Sequence, residues 1–315
     1  MGRPRGTYSI VALDPATGEH GVAVQSHWFS VGSMCSWARP GVGAVATQSF
    51  VQPAFGPAAL DAMSGGADAA SALEGLLAGD DVPAMRQVGI VDGNGGAAAH
   101  TGDGCLAEAG HVLGEHWACQ ANMMAGDTVP AAMSTAFAAA GGDLADRLIA
   151  ALEAAETAGG DVRGRQSAAL LVVPATGESW RTRVDLRVDD HDDPLGELRR
   201  LRALHRAYAL AGEGDELLAT GRDDDAAQCY LRAAELAPGS DELAFWAGLA
   251  VAQAGDVAGG AAAIERIAAI HPGWLTLLDR LPAELAPSAP AVLAVLESHR
   301  LKKSAGGVDV GAPDS

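Results

Sequence analysis

Residues 7–13, TYSIVAL, are strand-like, and DPATG at 14–18 supplies the Pro and Gly of a tight connection. Apolar alternation resumes in GVAVQS, residues 21–26, so the chain opens on a β-hairpin. Further strands are expected at 31–36 and 41–47, where small and β-branched residues suit close sheet packing. Residues 53–63 and 67–77 have helical spacing and are separated by the Gly65 and Gly66 break. Strands return at 87–91 and 97–101 around Asp92-Gly93-Asn94-Gly95, the strongest hairpin-turn signal in the chain. A strand at 116–121, helices at 129–139 and 144–158, a loop at 159–165 and a hairpin formed by 168–173 and 179–188 follow. Strands therefore come in hairpins and not in alternating β-α-β units, which predicts an α+β class with antiparallel sheets and segregated helices.

Asp193-Pro194 pairs an N-cap with a proline at the first helical position and opens a helix to about residue 211. Beyond it the pattern is wholly helical and repeats after 34 residues: Gly214, Gly221 and Pro238 recur as Gly248, Gly255 and Pro272. Ala226, Tyr230 and Ala233 give the first copy the spacings of a tetratricopeptide helix pair, and the second copy is weaker, with Gly260 and Ile264. Two repeats are fewer than the roughly three such arrays need to stand alone, so this unit is expected to pack on the preceding helix. The organisation expected is a leader or mis-assigned start at 1–6, a first domain at 7–205, a helical unit at 206–285, and a helix end and disordered tail at 286–315.

Charge excludes two classes of partner. The 315 residues hold 21 Lys and Arg against 40 Asp and Glu, net −19, which would repel a phosphate backbone or an anionic membrane. Neither half hides a basic module: residues 1–205 are net −11 and residues 206–315 net −8. The lysines, Lys302 and Lys303, both lie near the end, so a GK[ST] phosphate loop or a Schiff-base lysine cannot be built earlier in the chain. No apolar run reaches the roughly 18 to 20 residues of a spanning helix, and MGRPRG lacks the apolar stretch of a secretory signal. Cys35, Cys105, Cys119 and Cys229 form no CxxC pair and read as reduced thiols of a cytoplasmic protein.

Four constellations could carry chemistry. Gly6-Thr7 stands directly before the first strand, and a threonine freed at an N-terminus can use its own amine as general base for its hydroxyl. Ser9 lies on the same face. The alternative is that Thr7 is a β-branched strand residue and Ser9 a small filler. His111, Glu115 and His116 match no known metal motif, although His111 and Glu115 would share a face if the segment were helical. Asp189-Asp190-His191-Asp192-Asp193 could hold a hard cation, yet it lacks a calcium ladder and is more simply a solvated cap of the next helix. In the glycine-flanked segment Asp161-Val162-Arg163-Gly164-Arg165-Gln166-Ser167, two arginines can form bidentate contacts with a substrate carboxylate or make surface ion pairs with neighbouring acids. The Asn122 amide can steady an oxyanion or bond a turn. None of these sets calls for a metal or another cofactor.

The segments TYSIVALDPATGEHGVAVQS, WARPGVGAVATQSF, RQVGIVD with HTGDGC, QANMMAG, GGDVRGRQSAALLVV and VDLRVDDH, in that order, resemble the bacterial family catalogued as domain of unknown function 1028, placed in the Ntn-hydrolase superfamily. The similarity runs from about Thr7 to His205. It implies a four-layer αββα sandwich and a nucleophile at the first residue of the first strand, here Thr7. Members of the family commonly begin with Met followed directly by this threonine, whereas MGRPRG precedes it here. Either Gly6–Thr7 is cleaved, the start is placed too early, or the site is inactive. Related threonine hydrolases place a lysine by the nucleophile; here Arg39 is the nearest substitute by position and can supply only field. Ser26 and Gln48 are expected to line the same sheet-end cleft, with Asn122 and Arg165 opposite. The resemblance thus implies an amide hydrolase with Thr7 as nucleophile, Asn122 or a backbone N–H on the oxyanion, and Arg39 or Arg165 on an acidic group of a small substrate. Its rival is a non-catalytic scaffold whose helical repeats bind a peptide or protein partner. Nucleic acid and membrane are not expected as partners, and a homo-oligomer is left open.

Overall fold

The computed structural model describes residues 6–305. Residues 1–5 of the leader expected at 1–6, and the last part of the expected tail, 306–315, lie outside the described residues. Two compact units divide the chain between Leu201 and Arg202.

The first unit opens on the hairpin of β1 (Thr7–Asp14) and β2 (Glu19–Ser26). Asp14 closes its turn by accepting from the Ala16 amide at 3.2 Å and the Thr17 hydroxyl at 3.0 Å, with Gly18 left-handed at φ 72°. Then follow α1 (Gly32–Cys35), β3 (Ser36–Arg39), β4 (Gly43–Ser49), α2 (Phe55–Ser64) and α3 (Ala69–Ala78). The strand expected at 31–36 is instead the short helix α1, and the strand begins only at Ser36. Ser30, at φ 54°, reverses the chain, and the Val31 amide donates to the Ser167 hydroxyl instead of to a neighbouring strand.

Next come β5 (Arg86–Asp92), β6 (Ala97–Thr101), β7 (Gly110–Leu113) and β8 (Trp117–Asn122). Helices α4 (Val129–Ala139) and α5 (Leu144–Thr157), strands β9 (Ser167–Val173) and β10 (Val184–Val188), and α6 (Pro194–Ala219) follow. Strand β7 was not expected: His111 lies in it, so His111 and Glu115 do not share a helix face.

All strand pairs are antiparallel, in sheets ordered β10-β9-β2-β1-β8-β7 and β3-β4-β5-β6. Alternation along β1 shows how they pack. Tyr8, Ile10 and Ala12 meet Leu144, Leu148 and Leu152 of α5 and Met133 and Phe137 of α4 in one core. Val11 and Leu13 face the other way and join Ala44, Ala46 and Val91 of the second sheet. That sheet's outer face, with Val45, Val88 and Ile90, packs on Phe55, Leu60 and Leu73 of α2 and α3. Both faces of β1 are thus buried, one against α4 and α5 and the other against the second sheet.

In the second unit, the end of α6 is followed by α7 (Asp223–Leu236), α8 (Asp241–Gln253), α9 (Val257–Ala268), α10 (Gly273–Arg280) and α11 (Ala289–Ala305). The 34-residue period has a packing cause. A side chain at Gly214 would meet the Tyr230 ring at 2.8 Å, and one at Gly248 would meet Ile264 at 3.0 Å and the Gly260 carbonyl at 3.1 Å. Gly221 and Gly255 both take left-handed φ, 73° and 110°, just after the first helix of each pair. Helix α11 runs through His299 to Ala305, past the point where a tail was expected to begin. The eleven described helices and two antiparallel sheets make the protein a mixed α and β structure. No described helix is long and apolar enough to cross a membrane.

Candidate active site

Register lines up polar side chains at one end of the six-stranded sheet. Thr7 is opposite Ser26 on one side and Asn122 on the other, and Ser26 is opposite Ser167. Cross-strand partners share a face, so all four point at the second sheet. From that sheet Gln48 and Gln87, themselves opposite one another, point back. They share the face of Ala44, Ala46 and Val91, whose apolar side chains fill the space between the sheets farther along. Thr7, Ser9, Ser26, Gln48, Gln87, Gln120 and Asn122 are all buried.

Burial on this scale demands partners, and the side chains supply most of them to one another, Gln120 Oε1 and Asn122 Oδ1 remaining without one. Gln48 Nε2 donates to Gln87 Oε1 at 2.7 Å and to the Thr7 carbonyl at 3.0 Å, while its Oε1 accepts from the Ser9 hydroxyl at 2.6 Å. Ser9 also accepts from Gln120 Nε2 at 2.6 Å. Asn122 Nδ2 donates to Gln87 Oε1 at 2.9 Å and lies 3.5 Å from the Thr7 carbonyl. Gln87 Nε2 donates to the Ala121 carbonyl at 2.8 Å and to the Thr101 hydroxyl at 2.9 Å. The chain leaves this cluster with Ser49 and Met123 in left-handed conformations, φ 66° and 61°, directly after Gln48 and Asn122. Such geometry costs a non-glycine residue roughly 1–2 kcal/mol and persists where the surroundings fix it.

The peptide before Thr7 is held as firmly. Ser26 Oγ donates to the Gly6 carbonyl at 2.5 Å and lies 3.1 Å from Thr7 Oγ1. Arg163 Nη2 donates to the same carbonyl at 2.8 Å. Asp161 fixes Arg163 in turn, accepting from its Nη2 at 2.8 Å, its Nε at 3.1 Å and its backbone amide at 2.9 Å. The His27 amide supplies a fourth bond to Asp161 at 3.1 Å. A carbonyl that accepts from a hydroxyl and a guanidinium is polarised, and the threonine hydroxyl is part of the same hydrogen-bonded group.

Ser26, Gln48 and Asn122 are thus gathered at Thr7, and Arg39 and Arg165 are not. Arg39 pairs with Gly43, at the opposite end of β4 from Gln48, and bonds Asp61 at 2.9 Å and Ser64 at 3.0 Å in α2. It therefore lies on the outer face of its sheet. Arg165 bonds Asp193 at 3.1 Å and lies 3.6 Å from Glu156, which accepts from Tyr8 Oη at 2.6 Å. Tyr8 points away from Thr7 by strand alternation, which puts Arg165 behind the sheet. Burial pushes the Tyr8 phenol well above its usual range, and the Glu156 carboxylate adds to the shift.

Of the two remaining candidate groups, His111 Nδ1 lies 2.9 Å from the Thr101 hydroxyl, with its pKa lowered by burial and then by His100. In the acidic segment Asp189 accepts from Ser30, Asp190 from Gln166 and Asp193 from Arg165. Among the described residues no three His, Cys, Asp or Glu side chains converge as metal ligands would. Gln87 and Gln120 were not singled out from sequence, and Asp161 and Arg163 were named there only as part of the candidate loop, without a role at Thr7. Gln87 and Gln120 were detectable as long amides inside buried strands; Arg163 was indistinguishable from Arg165 until the loop had a shape.

A model for a family of unknown function, DUF1028, matches residues 7–198, more than half of the chain. The protein belongs to the DUF1028 family. The match ends within α6, close to where the first compact unit ends. A solved DUF1028 structure, protein SPO2555 from Silicibacter pomeroyi, is similar at 33% identity and a TM-score of 0.58. The similarity covers 62% of this chain and 88% of that one. Comparison with curated proteins gives no match.

Proposed function

We propose that this DUF1028 protein is an N-terminal-nucleophile amide hydrolase on a four-layer αββα sandwich, with Thr7 as nucleophile. The observation that carries the reading is the Gly6 carbonyl, gripped by Ser26 and Arg163 within the same group as the Thr7 hydroxyl. Loss of residues 1–6 gives Thr7 a free amine, whose reference pKa of roughly 7.7–8.0 suits a general base at neutral pH. The amine takes the Oγ1 proton, Oγ1 attacks a substrate carbonyl, and the leaving amine receives that proton. Water then hydrolyses the acyl ester. Ser26 Oγ and Arg163 Nη2 hold the oxyanion; both Nδ2 protons of Asn122 are directed at Gln87 and the Thr7 carbonyl, which makes Asn122 a positioning residue. Arg163, not Arg39, supplies the positive field that a lysine gives in related enzymes. The substrate is a small amide or peptide-like molecule.

Intact mass of the purified chain tests this. Wild type is expected to begin at Thr7, Thr7→Ala to keep residues 1–6, and Thr7→Ser to be processed. Amide hydrolysis by a chain that still begins at Met1 or Gly2 would sink the single-residue mechanism.

A second reading rests on the helical unit, taken as tetratricopeptide-like from the equivalence of Gly214–Tyr230 with Gly248–Ile264. It holds a cavity of about 770 Å³ lined by Tyr208, Asp215, Glu242, Trp246 and Gln253 among others, which suits a peptide with basic residues. Trp246→Ala weakening capture of an arginine-containing peptide, with Thr7 never freed, would favour the scaffold over the hydrolase.

A further inference from the structure

We infer that the Asp161–Arg163 pair is a steric gate that restricts the acyl side of the cleaved bond to residues without an L side chain, so that the protein's substrates are glycyl amides. This rests on the reading of Thr7 as nucleophile. The Gly6 carbonyl stands where a substrate carbonyl must sit to meet Oγ1, so the surroundings of the Gly6 α-carbon are those of the substrate's acyl residue.

That α-carbon has no room for a substituent. An L-configured Cβ on Gly6 would lie 2.8 and 2.9 Å from the two carboxylate oxygens of Asp161 and 3.0 Å from Arg163 Nη2. Ordinary contacts to a methyl begin near 3.4 Å, and contacts below 3.0 Å require something to move. A flexible side chain could swing clear, and Asp161 cannot. Its side chain is fully buried, its carboxylate accepts four hydrogen bonds, and its backbone is bridged to Met124. Moving Asp161 would also release Arg163 from the carbonyl it polarises. Gly6 is thus required by space: the gate and the oxyanion donor are one ion pair.

The reaction balances without any group beyond water. Thr7 Oγ1 bonds the glycyl carbonyl carbon, the C–N bond breaks, and the leaving nitrogen keeps the pair and takes the Oγ1 proton. Water cleaves the glycyl ester, returning a proton to Oγ1 and releasing a glycyl carboxylate. When the amide is the Gly6–Thr7 bond itself, the same steps free the Thr7 amine.

Two measurements test the gate. In the full chain, Gly6→Ala is expected to slow the loss of residues 1–6 by about tenfold or more on intact-mass time courses, with thermal unfolding confirming that the variant is folded. Processed wild type is expected to hydrolyse N-acetylglycyl aminomethylcoumarin about tenfold or more faster than the N-acetyl-L-alanyl analogue. Processing of Gly6→Ala at the wild-type rate, or equal rates on the two amides, overturns the gate and leaves Thr7 its role. A wild-type chain that keeps residues 1–6 and hydrolyses neither amide overturns both.

Discussion

His20 shows how a single buried side chain sets a pH dependence. It is 1% exposed, its Nε2 lies 3.1 Å from the Asp92 carbonyl, and its Nδ1 has no partner. The neutral ring donates one proton to that carbonyl; a protonated ring would have a second donor with nowhere to go. Burial accordingly holds its pKa below the ordinary 6.5, despite the opposing pull of Asp92. Between the folded value and 6.5 the unfolded chain binds more protons, so stability falls as pH drops through that window and levels off below the folded value. Each unit of separation corresponds to about 1.4 kcal/mol. His20→Gln keeps a donor for Asp92 and removes the titration, and is expected to flatten the decline between pH 7.5 and 5.5 in denaturant unfolding. An unchanged slope would assign the pH dependence to other groups. Nothing in the residues around position 20 announces this, because the partner carbonyl is 72 positions away.

Among the elements, the β5–β6 hairpin was the most legible in sequence. Its Asp-Gly-Asn-Gly turn is built by Asp92, whose Oδ1 accepts from the Asn94 and Gly96 amides, both at 2.9 Å, with Gly95 left-handed at φ 88°. Only the fold adds the third bond, from the Ala69 amide at the start of α3 to Asp92 Oδ2 at 2.9 Å. One carboxylate thus closes a turn and satisfies a free N–H of a distant helix. Asp92→Ala leaves three amides without this acceptor and is expected to cost about 2 kcal/mol, given that bonds to charged groups contribute roughly 1.5–3 kcal/mol. Asp92→Asn keeps one acceptor oxygen and should lose less. Equal chemical-denaturation midpoints for the two variants would count against the dual role. By contrast, the strand expected at 31–36 was misplaced because local propensity could not register the missing strand partner.

At the scale of the whole molecule, the two units have separate cores. Leu144, Leu148 and Phe137 belong to the first, Phe245, Leu249 and Ile264 to the second. In the second, Gly248 packs directly on the opposing helix, so Gly248→Leu forces in a side chain where a Cβ already meets Ile264 at 3.0 Å. Overpacking of this kind typically costs 1–3 kcal/mol. Calorimetry should show a lowered transition for the helical unit, while intact mass should show the same processing at Gly6–Thr7 as in wild type. Loss of processing in this folded variant would mean that the helical repeats contribute to the Thr7 site.

The sequence by itself determined the antiparallel pairing of hairpins, the 34-residue helical period, the position of Thr7 at the head of the first strand, and the exclusion of lysine chemistry before residue 302. Each of these is written in neighbours: alternation, turn residues and repeat spacing act within a few positions of where they are read. Only the tertiary structure decided which polar residues share a face and an end. Gln48 meets Thr7 and bonds Gln87, whereas Arg39 turns to α2 and Arg165 to Asp193. The choice of Arg163 over Arg165 depends on which side of a sheet each side chain takes, two positions apart in one loop. Facing and register are relations between strands, and no single stretch of chain contains them.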